Sequence, residues 1–156
     1  MFLFIQLGVT IFIFLASFLF SWYEGSAVLE NPWEWNYSTP FSHLLHGEVN
    51  KVSDISLLDH FVYAAKFHPL YPALMLLSGV YLLVLVGRIY FRKGDRGFFV
   101  YVAVLGALLL LLSLVMFNAY TSGGKLFFYL SLASGIICFV ISTFTHYHNN
   151  KSVSSV

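Results

Sequence analysis

The sequence predicts an all-α membrane protein: four transmembrane helices, with a helical outer loop between the first and the second. Three observations predict it. Four long apolar runs, at about residues 1–22, 70–91, 98–119 and 126–145, each approach the ~20 residues that cross a bilayer. Each run is apolar around its whole circumference, a surface that a water-soluble fold would have to cover. Basic and acidic residues are also sorted into different connecting segments. With 156 residues, 59% apolar and 10% charged, the chain has room for one membrane domain over residues 1–156 and for no separate soluble enzyme domain.

The runs are expected to be helices. A lone apolar segment must satisfy its backbone internally, and long unbroken runs lack the alternation of barrel strands. The first run has no Lys or Arg before it and no A-x-A site after Phe20, so it reads as a retained anchor and not as a cleaved leader. Pro69 and Pro72 fall at the start of the second run, where a missing N–H costs least. Small residues four apart, Ala103/Ala107 and Ser131/Gly135, predict a close seam between the third and fourth runs, which the turn Thr121–Lys125 folds into an antiparallel hairpin. The lone cysteine, Cys138, lies inside the fourth run and excludes an intramolecular disulfide. Polar residues at depth are Gln6, Thr10, Ser17, Ser78, Ser113, Asn118, Ser131 and Ser142, with no Asp, Glu, Lys or His near a span centre. That pattern argues against a pump or an ion-coupled carrier.

Charge sets the expected orientation. Between the second and third runs stand Arg88, Arg92, Lys93 and Arg96 against Asp95, which by the positive-inside rule makes that loop cytoplasmic. The loop 23–69 carries Glu24, Glu30, Glu34, Glu48, Asp54 and Asp59 against Lys51 and Lys66, and is placed outside. Both termini, including the tail 146–156, then face the cytoplasm of a cell whose plasma membrane holds the chain. Trp22, Tyr23, Tyr71, Tyr90, Tyr120 and Tyr147 mark the span ends as interfacial rings do.

The outer loop is the candidate functional segment, being too long for a passive connector. Trp33, Trp35 and Tyr37 read as an interfacial anchor or as a platform for a sugar or peptide, with Glu34 hydrogen-bonding to it. Thr39, Pro40 and Gly47 read as N-cap, first helical residue and stop of a short helix. That helix would bring His43 and His46 onto one face, and with His60 these form a candidate metal or haem site, to which Glu48, Asp59 and His68 could add donors. A bare H-x-x-H lacks the glutamate of H-E-x-x-H, and the motif is correspondingly weak. A second loop helix is expected from about Ser53 to Phe67, with Ile55, Leu58, Phe61, Val62 and Ala65 on an inward or lipid-facing side. Ser56, Asp59, His60, Tyr63 and Lys66 would form its solvated side. Burial of Trp33, Trp35, Phe41, Leu44, Leu45, Leu57, Leu58 and Phe61 would order the loop into a cap. In the tail, His146 and His148 form an H-x-H pair, too few ligands for a metal by themselves.

The stretches Ser21-Trp22-Tyr23-Glu24-Gly25-Ser26, Asn31-Pro32-Trp33-Glu34-Trp35 and Tyr37-Ser38-Thr39-Pro40-Phe41-Ser42 resemble the YjdJ-like family of small uncharacterised membrane proteins of Bacillus-type bacteria. The resemblance covers the first span and the outer loop, extends toward the second span, and offers nothing for the last two spans. It implies a bacterial plasma membrane and carries over no catalytic residue. No Ser/His/Asp or Cys/His order, phosphate-binding glycine loop or carboxylate pair stands out. The chain therefore reads as a non-enzymatic accessory or interaction protein, needing no cofactor, whose partners are the bilayer and a membrane protein or a second copy, and not nucleic acid.

Overall fold

The computed structural model describes residues 2–91 and 96–153. The chain is helical throughout: α1 is Phe2–Gly25, α2 Trp35–Ser38, α3 Pro40–His46, α4 Leu57–Phe67, α5 Leu70–Tyr90, α6 Arg96–Met116 and α7 Ser122–Val153. Short 3-10 turns at Ser26–Glu30, Pro32–Glu34 and Val52–Asp54 join the smaller pieces. Four helical stretches, Phe2–Glu30, Leu70–Tyr90, Gly97–Met116 and Ser122–Thr145, are long and apolar enough to cross a membrane. They correspond to the four apolar runs. Arg92, Lys93 and Asp95 of the basic loop lie outside the described residues, as do the side chains of His146 and His148.

Two ends depart from the expected boundaries. α6 stops at Met116, because Phe117 and Ala119 donate back to Leu114 and Met116 and turn the chain ahead of α7. α7 starts where the Thr121 hydroxyl accepts from the Gly124 amide at 3.1 Å, a side-chain cap on its first turn. It then runs on to Val153, well past Thr145. Polar residues alone do not stop a helix, and neither Gly nor Pro follows Thr145.

The long helices pack as two pairs. α1 lies along α5, and α6 lies along α7. On α1 the buried residues are Thr10, Ser17, Ser21 and Gly25, all small, and the ring of Phe14 lies over Gly79 of α5. The α6–α7 seam buries Val102, Leu109 and Ser113 against Ser131, Ser134, Cys138 and Ser142, and the Ser142 hydroxyl donates across it to the Phe99 carbonyl at 3.1 Å. Ser131 and Gly135 are in this seam as expected. On α6, however, the close approach is made by Gly106, which faces the Gly135 carbonyl, while Ala107 is exposed. Gly106 lies in register with the buried Val102, Leu109 and Ser113, so the glycine sits on the contacting face and Ala107 is turned away from it. Contacts between the two pairs are sparser; one is the Tyr101 hydroxyl donating to the Leu83 carbonyl at 3.1 Å.

The short helix α4 touches both pairs, packing on α1, α5 and α7. It does so backbone to backbone. A Cβ added at Gly25 would overlap the His60 carbonyl, and one added at Gly123 would overlap the Ala65 carbonyl. Glycine at both places lets the end of α1 and the start of α7 close on the α4 main chain. Gly25→Ala and Gly123→Ala are each expected to cost about 1–3 kcal/mol, because the atom met is backbone and cannot rotate away. Gly8→Ala, with open space around it, should be neutral or slightly stabilising. Thermal unfolding of the detergent-solubilised variants checks this ordering.

Candidate functional site

The segment between α1 and α5 folds into a cap built around α4, and its order comes from polar contacts. Pro40 opens α3 and Gly47, at φ 80°, closes it with its amide on the His43 carbonyl at 3.0 Å, as the sequence predicts. The N-terminal cap is different. The Thr39 hydroxyl turns back to the Trp35 carbonyl and leaves the first amides of α3 open. Asp59, fully buried on α4, takes them instead: its carboxylate accepts from the Phe41 amide at 2.9 Å, from the Ser42 amide at 2.8 Å and from the Ser42 hydroxyl. That hydroxyl in turn accepts from the Ser56 amide at 2.7 Å, tying the two helix starts together. A carboxylate at a helix N-terminus also meets the positive end of the helix dipole.

A second polar knot closes the other side. Lys66 Nζ reaches Glu34 Oε2 at 2.6 Å and Ser38 Oγ at 3.0 Å, and the Ser38 hydroxyl donates to the same carboxylate at 2.8 Å. The Lys66 ammonium, and then the Ser38 hydroxyl, hold the Glu34 carboxyl below its usual range. Glu34 therefore faces a cation inside the cap and not an incoming ligand. Asn31 bridges the Ala27 carbonyl and the Tyr63 hydroxyl, and the Trp35 indole N–H donates to the Val28 carbonyl at 2.9 Å.

α4 is shorter than expected, and it buries polar residues expected to be solvated. Ser56 caps it, accepting from the Leu58 amide at 3.3 Å, and Val52–Asp54 is a separate 3-10 turn. Of the side expected to be solvated, Asp59, His60 and Tyr63 are buried; of the opposite side Leu58 is exposed, while Ile55, Phe61, Val62 and Ala65 are half-buried. The physical reason is the polar demand of the neighbours, since the open amides of α3 and the Asn31 amide need acceptors that only this face supplies. Phe61 does pack inward, its ring 4.9 Å from Phe18. Burial of the apolar set is likewise not what orders the cap: Trp33, Phe41, Leu44, Leu45, Leu57 and Leu58 are all exposed.

Of the predicted metal residues, His43 has Nδ1 at 2.6 Å from the Gly47 carbonyl and Nε2 at 3.3 Å from the Trp35 carbonyl. His46 is exposed, and His60 is buried on α4 with its ring stacked on Trp22 at 6.4 Å. Among the described residues no three His, Cys, Asp or Glu side chains come together as a metal-binding group, so the structure does not gather His43, His46 and His60 into one. Sequence reasoning missed Asp59 and Lys66 as the organisers of the cap, because their partners lie far away along the chain. The one local signal is a proline-started helix whose cap residue is followed, a short loop later, by a carboxylate near the start of the next helix.

The fold is thus that of an all-helical protein with four helices long and apolar enough to cross a membrane and a polar-tied cap between the first two. Residues 4–91 match the family described as Domain of unknown function (DUF4306), and the chain belongs to that family. It is similar to the "Uncharacterized protein YjdJ" of Bacillus subtilis (strain 168), 42% identical over 84 residues that make up 53% of this chain and 77% of that protein. No solved structure matches. The family match begins in the first turn of α1 and ends just past α5, so α1, the cap and α5 are the shared unit and the α6–α7 hairpin lies beyond it.

Asp59→Ala leaves three donors buried without an acceptor and is expected to cost the cap about 2–4 kcal/mol. Asp59→Asn, which keeps one acceptor oxygen and loses the charge, should cost about half as much. Both should speed proteolytic cleavage at Lys51 in the solubilised protein, Ala more than Asn, without altering membrane insertion.

Proposed function

We propose that this is a multi-pass plasma-membrane protein, a single membrane unit over residues 1–156, with both termini in the cytoplasm and the cap outside. On this reading the cap is a non-enzymatic interaction surface for another membrane protein or a second copy of the chain. The observation that carries it is exposure on an ordered scaffold. Trp33 is 89% exposed, Leu44 83%, Leu45 68% and Leu57 63%, although the backbone beneath them is fixed by buried hydrogen bonds. Single exposed apolar side chains are ordinary, whereas several on one rigid cap mark a surface that is covered in use. The charged groups Asp59, Glu34 and Lys66 are engaged in holding the cap, which supports a binding role over a catalytic one. The basic loop and the acidic cap support the orientation.

Two measurements test this. In a Cys138→Ser background, a cysteine at Asn36 should react with an impermeant thiol reagent on intact cells and one at Gly94 should not; the reverse pattern overturns the orientation. A photoreactive residue at Leu44 should give one protein adduct that Leu45→Glu abolishes while the cap stays protease-resistant. Adducts to lipid alone would remove the partner role.

A further inference from the structure

Phe41, Leu44 and Leu45 stand at i, i+3 and i+4 on α3, where they share one face, and all are exposed. Val52 is exposed too, as are Leu57 and Leu58 in the first turn of α4. The Ser42 hydroxyl, accepting from the Ser56 amide at 2.7 Å, brings the two helix starts together, so these side chains belong to one end of the cap. The backbone beneath them is fixed. Ser42, Val49 and Asp59 are buried, and the Asp54 carboxylate accepts from the Lys51 amide at 3.1 Å.

The charges at its edge define what covers it. Between α3 and the turn Val52–Asp54 the chain presents an acid and a base, Glu48 and Lys51, both exposed and on either side of the buried Val49. Among the described residues neither is in an ion pair, and the neighbouring Asp54 carboxylate is taken up by the Asn50 and Lys51 amides. An acid and a base at one apolar edge are costly to sink into lipid, and together they match neither a purely acidic nor a purely basic partner. The same edge turned by half a rotation answers both, because a two-fold contact sets residue i against j and j against i. Copies inserted in one membrane share one orientation, so a two-fold axis along the membrane normal puts cap beside cap at the same height.

We propose that this end of the cap is a contact between two copies of the chain, in which the α3 faces pack together and Glu48 of each copy pairs with Lys51 of the other. Given the cap as the interaction surface of a membrane protein, on which this rests, the partner is the chain itself. Leu44 and Leu45 supply the apolar middle of the contact. The two symmetry-related ion pairs lie at its rim, where opposite charges fix register and exclude wrong partners more than they add affinity. Each substitution therefore acts twice, once in each half of the contact.

The test is capture of one full-length copy by another that carries a different tag, the two co-expressed and purified in mild detergent, with protease resistance of the cap as the control for folding. Wild type should capture wild type. Glu48→Lys paired with itself sets base against base in both halves, and Lys51→Glu paired with itself sets acid against acid. Each should lower capture at least about tenfold. Glu48→Lys co-expressed with Lys51→Glu returns opposite charges to both halves and should restore it. A photoreactive residue at Leu44 should then give an adduct of twice the chain mass. Failure of wild type to capture itself, capture that both single reversals leave intact, or a mixed pair that captures no better than the like pairs overturns the proposal. So does a Leu44 adduct to a different protein alone, which leaves the cap an interaction surface for another partner, whereas adducts to lipid alone remove both readings.

Discussion

The close approach of α4 to two long helices, main chain against main chain, is the contact on which the rest depends. α1 and α5 form one pair, α6 and α7 another, and few contacts join the pairs directly. α4 spans the gap, held at His60 by Gly25 and at Ala65 by Gly123. One of those glycines lies inside the family match at 4–91 and the other in the hairpin outside it, so the same helix packs on both. A side chain at either position would push α4 away from one pair and leave the other without its brace.

Seating α4 fixes everything built on it. With its backbone set against α1 and α7, Asp59 stands where it can accept from the first amides of α3, and Lys66 where it can reach Glu34. Hydrogen bonds to a buried charge contribute about 1.5–3 kcal/mol each, more than neutral ones, and they are directional. A short helix such as α3, with seven residues, is too short to be stable alone and takes its order from this anchor. Because polar contacts hold the cap, its apolar side chains need not turn inward. That is why Trp33, Leu44 and Leu45 stand on the surface of a segment that is nonetheless ordered.

The parts legible in the sequence are those governed by local rules. A run of about twenty apolar residues has one economical backbone solution, so the four long helices could be read directly. Pro40 and Gly47 set the ends of α3 through their own backbone preferences, and Ser131 and Gly135 announced the seam of the last hairpin. The rest required knowing what lies opposite. Periodicity gave α4 two faces but not which one is buried, and the usual assumption that the polar face meets water failed because its neighbours offered unsatisfied amides. The small-residue rule likewise selected Ala107, where the contact falls at Gly106: the rule gives a spacing, and the partner helix selects the register. Asp59 looked like one more acid on a solvated loop because its partners are 17 and 18 residues away.

The measurement that bears most directly on this account is amide hydrogen exchange at Phe41 and Ser42 in the full chain. These are first-turn amides of α3, which have no acceptor within their own helix and ordinarily exchange quickly. If Asp59 on a seated α4 accepts from them, both should exchange at least about a hundredfold more slowly than an unstructured peptide, with rates that follow those of the α4 amides. Exchange at the unstructured rate in those two amides, while the α4 amides remain protected, would show that the cap is not tied to α4 and would contradict the account at its centre.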